Sequence, residues 1–64
     1  MPVVIIELWE GRTVEQKRKL VRAITDAMVA HAEVRPENLQ VILHEVAPEN
    51  WGRGGVVGID REDA

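Results

Sequence analysis

The chain has 64 residues, which sets one domain as the limit, here read as residues 1–64. Its 8 basic and 11 acidic residues give a net charge of -3, which speaks against a nucleic-acid binder, and the absence of cysteine rules out disulfide staples and thiolate metal sites.

A domain this small buries only about 60% of its unfolded surface. Yet 45% of the residues are apolar, so surface left over by one chain is expected to be buried between copies of it. No apolar run approaches the roughly 18 residues of a membrane-spanning helix. The N-terminus has neither a charged leader region nor a small-residue cleavage site, so no signal peptide is expected. These readings point to a soluble, cytoplasmic homo-oligomer without membrane or nucleic-acid partners.

Residues 2–9, Pro-Val-Val-Ile-Ile-Glu-Leu-Trp, form a nearly unbroken apolar run. Such a run predicts a strand covered on both faces, in a parallel sheet or at a subunit contact. Pro2 is tolerated because the first position of a strand needs no ladder donor. The turn Glu10-Gly11-Arg12-Thr13 leads into a helix predicted over Val14 to about Ala32. Thr13 is its N-cap, Gln16 completes a capping box, and Glu15 suits the positive end of the helix dipole. Leu20, Val21, Ile24, Ala27 and Met28 share one face, with Lys19, Arg22 and Asp26 opposite.

The segment from Arg35 to Asn38 reads as the helix exit, because the residue before Pro36 is biased away from helix. Leu39 to Val46 is the second strand. Strand, helix and strand make a β-α-β unit with parallel strands and a right-handed crossover. Pro48 to Trp51 reads as a tight turn. The glycine-rich Gly52 to Gly58 is predicted to be a small hairpin, and Ile59 to Ala64 a short acidic tail, loose or lying on a neighbour. The fold class is therefore α+β.

Pro2 carries the chemistry with the clearest rationale. Once Met1 is removed, Pro2 becomes a secondary amine held at the head of a rigid strand. An ordinary α-amino group titrates at about 7.7 to 8.0. Apolar walls and neighbouring cations disfavour its charged form, which leaves a base suited to proton transfer near neutral pH. Arg12 could clamp a carboxylate with two parallel hydrogen bonds. Trp51 could wall a pocket and exclude water, while Trp9 is expected at an interface. His31 and His44 have no partners at metal-ligand spacing, so no metal site is expected. The glycines at 52, 54, 55 and 58 do not sit between a strand and a helix as a phosphate loop would.

Pro2 behind Met1, Glu10-Gly11-Arg12-Thr13 with Glu15-Gln16-Lys17, Val41-Ile42-Leu43 with Glu45, and Trp51-Gly52 with Gly54-Gly55 come in a fixed order. That ordered set resembles the 4-oxalocrotonate tautomerase family over nearly the whole chain. The resemblance implies a β-α-β subunit with a C-terminal hairpin, assembled as a hexamer of three dimers, without cofactor or metal. It implies that Pro2 is the general base that moves a proton within an enol or unsaturated 2-oxo acid such as 2-hydroxymuconate. It also implies that Arg12 binds a substrate carboxylate and that Trp51 walls the pocket. One position departs from the family: where well-characterised members carry a second arginine in strand two, this chain has Gln40. The amide can donate to a carbonyl oxygen but brings no charge; Arg53, beside Trp51, is a candidate substitute. Two other readings keep the scaffold. One is a hydratase or dehalogenase acting on unsaturated acids, for which Arg53 stands where a carboxylate is wanted. The other is a non-catalytic oligomerisation module.

Overall fold

A computed structural model describes residues 2–61. The elements are β1 (Val3–Trp9), α1 (Val14–Ala32), β2 (Gln40–Val46), β3 (Gly52–Arg53) and β4 (Val56–Val57). Single turns of 3-10 helix lie at Pro36–Asn38, Pro48–Asn50 and Gly58–Asp60. β1 and β2 pair in parallel from Val3 opposite Gln40 to Trp9 opposite Val46, and β3 and β4 pair antiparallel. The α+β class, the parallel pair joined through a helix and the C-terminal hairpin agree with the sequence.

α1 starts where the cap chemistry dictates. Thr13 accepts from the Gln16 backbone N–H at 3.1 Å, and the Gln16 side chain accepts from the Thr13 N–H at 2.9 Å. Two backbone donors with no partner inside the helix are satisfied reciprocally. The helix ends at Glu33, which takes the left-handed conformation at φ 55°. The half-buried stripe comprises Lys17, Leu20, Val21, Ile24, Thr25 and Met28. Ala27, expected on that face, is exposed. At 100° per residue it falls about 90° from the centre of the stripe, which is displaced toward Lys17 and Thr25. Lys17 belongs there because its ammonium donates to Glu45 of β2.

Along both strands exposed and half-buried residues alternate. Val4, Ile6 and Leu8 of β1, with Val41, Leu43 and Glu45 of β2, form the half-buried face, to which Lys17 of α1 reaches. The opposite face carries Val3, Ile5 and Ile42, which are 47%, 61% and 47% exposed. The double-sided covering expected for these strands is thus half met within one chain. Glu7 and His44 close this open face at one end, as register partners with Nδ1 and Oε1 2.5 Å apart.

Beyond β2 the chain turns through Pro48–Asn50 into the hairpin. Gly54 and Gly55 supply φ values of 61° and 85°, the two left-handed positions that a two-residue hairpin turn needs. The segment expected to be a loose tail instead begins with an ordered 3-10 turn, Gly58–Asp60, whose carbonyl at Gly58 accepts from Arg61 N–H at 3.2 Å. The remainder of that tail, residues 62–64, lies outside the described residues, as does Met1. Trp9, expected at an interface, folds against this turn: a Cβ on Gly58 would lie 2.5 Å from the indole Cζ2 and 2.9 Å from the Pro48 carbonyl oxygen. Only a glycine admits the ring at that distance. Gly58 is buried, whereas no hydrophobic side chain among the described residues is.

Candidate active site

The parallel ladder sorts the candidate residues by end. At the amino ends of the strands, the Gln40 backbone N–H donates to the Pro2 carbonyl at 3.2 Å. That bond fixes Pro2, half-buried, directly beside Gln40, whose side chain is exposed. The second strand thereby delivers its first polar side chain next to the proline, as the parallel register requires.

At the carboxyl ends, the chain leaves β1 through a turn pinned by Glu10 N–H donating to Val46 C=O at 3.1 Å. Gly11, at φ 125°, gives that turn a conformation other residues adopt poorly. Arg12 then folds back and donates from Nη1 to the Trp9 carbonyl at 3.0 Å. The bond occupies one of five guanidinium donors and leaves the fork at the surface for a planar anion. Trp51 follows the 3-10 turn that starts two residues after β2, with its N–H donating to Pro48 C=O at 3.2 Å. It is half-buried, and Arg53 stands exposed two residues on in β3.

Pro2 and Gln40 are therefore neighbours, while Arg12 lies at the far end of the seven-residue strand, roughly 20 Å away at 3.3 Å per residue. Within one chain, Pro2 and Arg12 do not meet. The sheet face between them is the open one, with Val3, Ile5 and Ile42.

Sequence reasoning missed the link between Lys17 and Glu45. Its signal was present: Glu45 takes an inward strand position after Val41 and Leu43, and Lys17 falls in the helical stripe of Leu20, Val21 and Ile24. Two opposite charges inside facing apolar stripes are a pair in waiting. Among the described residues no cluster of His, Cys, Asp and Glu could hold a metal ion, and no helix is long and apolar enough to cross a membrane.

The family model for tautomerase enzymes matches residues 2–61, from the proline to the end of the described chain. The chain belongs to the tautomerase family. Family membership makes it an enzyme of the isomerase class. The 2-hydroxymuconate tautomerase of Comamonas testosteroni is 39% identical over 56 residues, which cover 88% of this chain and 89% of that one. The structure of a 4-oxalocrotonate tautomerase isozyme from Methylibium petroleiphilum superposes with a TM-score of 0.90 at 39% identity, covering 97% of each chain. A heterohexameric 4-oxalocrotonate tautomerase from Chloroflexus aurantiacus superposes with a TM-score of 0.87 at 35% identity, covering 94% of this chain and 97% of that one.

Proposed function

We propose that this tautomerase shifts a proton within enol or unsaturated 2-oxo acids of the 2-hydroxymuconate type, with Pro2 as the general base. The observation that carries the reading is the fixed place of Pro2. It heads β1, is tied to β2 through the Gln40 N–H, and is the first residue of the family match.

In this reading, removal of Met1 frees the Pro2 nitrogen. The neutral amine takes a proton from the substrate hydroxyl or α-carbon. Arg12 of a neighbouring subunit holds the distal carboxylate, since the Arg12 of the same chain sits at the wrong end of the strand. Gln40, aided by Arg53 from an adjoining hairpin, polarises the carbonyl oxygen, and Trp51 keeps water from the pocket. Protonated Pro2 then returns the proton at the other end of the conjugated system. Positioning and electrostatic stabilisation supply most of the rate, with no cofactor or metal. The working form is a cytoplasmic oligomer, a hexamer by analogy with the heterohexameric relative.

The test combines mass measurement of the purified protein with an assay of 2-hydroxymuconate ketonisation. The expected results are loss of Met1, a Pro2 amine that titrates below the ordinary range, and a drop of about 10²- to 10⁴-fold for Pro2→Ala. Retained Met1, or a Pro2→Ala variant as fast as the wild type, would refute the reading.

A further inference from the structure

Arg12 sits between Gly11 and Thr13 in the turn after β1, and its side chain is exposed. An exposed arginine samples many rotamers, and freezing them at the moment of binding costs affinity. Here one arrangement is held beforehand, because Nη1 donates to the Trp9 carbonyl at 3.0 Å. The place of the guanidinium is therefore set by the place of Trp9.

Trp9 is the last residue of β1, in register with Val46, and its indole is seated on the C-terminal part of the chain. A Cβ on Gly58 would stand 2.5 Å from Cζ2 and 2.8 Å from Cη2 of the ring, and 2.9 Å from the Pro48 carbonyl oxygen. That same oxygen accepts the Trp51 N–H at 3.2 Å. Gly58 follows directly on β4, whose Val57 is the register partner of Gly52, the residue before Arg53. The ring thus rests on the two segments that carry Trp51 and Arg53, while the carbonyl of the same residue holds Arg12. Among the described residues Gly58 alone is buried, so this seat is the closest packing the single chain has. Close packing transmits a displacement instead of absorbing it.

We propose that Trp9 is a positioning residue: its carbonyl and its ring together hold Arg12 in a fixed relation to Trp51 and Arg53. It acts through those side chains and not on the substrate itself. The inference rests on the reading of Arg12 as the clamp for a distal carboxylate. Its consequence is selective. A substrate with a carboxylate at the distal end, such as 2-hydroxymuconate, uses the preset guanidinium. One with a phenyl group there, such as phenylenolpyruvate, does not.

The test is steady-state kinetics of Trp9→Leu on both substrates, alone and combined with Arg12→Ala. Gly58→Ala, which keeps the indole and disturbs its seat from the other side, is assayed in the same way and decides the matter should Trp9→Leu fail to fold. Each single variant is expected to raise KM for 2-hydroxymuconate about three- to tenfold, the ordering cost of one rotamer-rich side chain. The kcat and the KM for phenylenolpyruvate should stay within about twofold of the wild type, and adding Trp9→Leu to Arg12→Ala should change KM by no more than about twofold. A merely structural role would instead affect both substrates alike. If Arg12→Ala raises KM for 2-hydroxymuconate while the Trp9 and Gly58 variants do not, or if their effects fall on both substrates or add in full to that of Arg12→Ala, the inference fails and the clamp stands. If the wild type ketonises neither substrate, or Arg12→Ala leaves both KM values unchanged, the reading of Arg12 fails and this inference with it.

Discussion

Gln40 brings a neutral side chain to the strand position tied to Pro2, and in the proposed mechanism a cation there would hold the developing negative charge better. A charge-assisted hydrogen bond exceeds a neutral one by about 1.5 kcal/mol. Gln40→Arg is therefore expected to raise kcat/KM for a dicarboxylate such as 2-hydroxymuconate by about tenfold and to change a monocarboxylate such as phenylenolpyruvate less. Parallel assays of the two substrates check this. Gln40 was readable as a departure because its neighbours in sequence fix the register of β2. Gly58 was not readable as special. Its need for a bare Cα comes from Trp9, 49 positions earlier, through a contact that no local pattern encodes. A Cβ there meets the indole and a backbone oxygen, and the backbone oxygen cannot step aside. Gly58→Ala should destabilise the chain by about 1 to 3 kcal/mol, visible as a lower Tm.

The elements were the most legible level, because their signals are local. The capping box set the start of α1, the apolar runs set β1 and β2, and paired glycines set the hairpin turn. What stayed hidden was the use of each face. Val3, Ile5 and Ile42 look like core in sequence, and only the position of α1 reveals which side of the sheet one chain leaves uncovered. The end of α1 near Ala32 falls where the sequence placed it; what stayed hidden is how it closes, at Glu33 in a left-handed conformation that glycine adopts without penalty. A side chain there costs about 1 kcal/mol. Glu33→Gly should thus stabilise the protein by about 0.5 to 1 kcal/mol, with activity unchanged, since Glu33 is none of the candidate residues. Thermal unfolding of the variant beside the wild type measures this, and a fall in Tm would mean that the Glu33 side chain makes a compensating contact.

As a whole molecule, one chain is more open than its length requires. Its radius of gyration is 14.7 Å and its longest dimension 41 Å, against a radius of about 11 Å for a compact chain of this size. Its accessible surface is 4921 Å², where about 4100 Å² is typical of a folded monomer of this mass. Among the described residues no hydrophobic side chain is buried, the pattern expected of a chain whose core is completed by other copies. The same geometry governs the chemistry, since Pro2 and Arg12 sit at opposite ends of β1. If each site combines the Pro2 of one chain with the Arg12 of another, two inactive variants can repair each other. Pro2→Ala homo-oligomers lack every base, and Arg12→Ala homo-oligomers lack every clamp. After the two are unfolded together and refolded in equal amounts, some sites join an intact Pro2 from the Arg12→Ala chain to an intact Arg12 from the Pro2→Ala chain. Random mixing makes about a quarter of sites whole, so activity should return to about that share of the wild type. Mixing the two folded proteins without exchange should give none. A refolded mixture that stays inactive while mass spectrometry shows mixed oligomers would place base and clamp in the same chain, and would require β1 and the turn after it to fold back on themselves in a way this strand geometry does not permit.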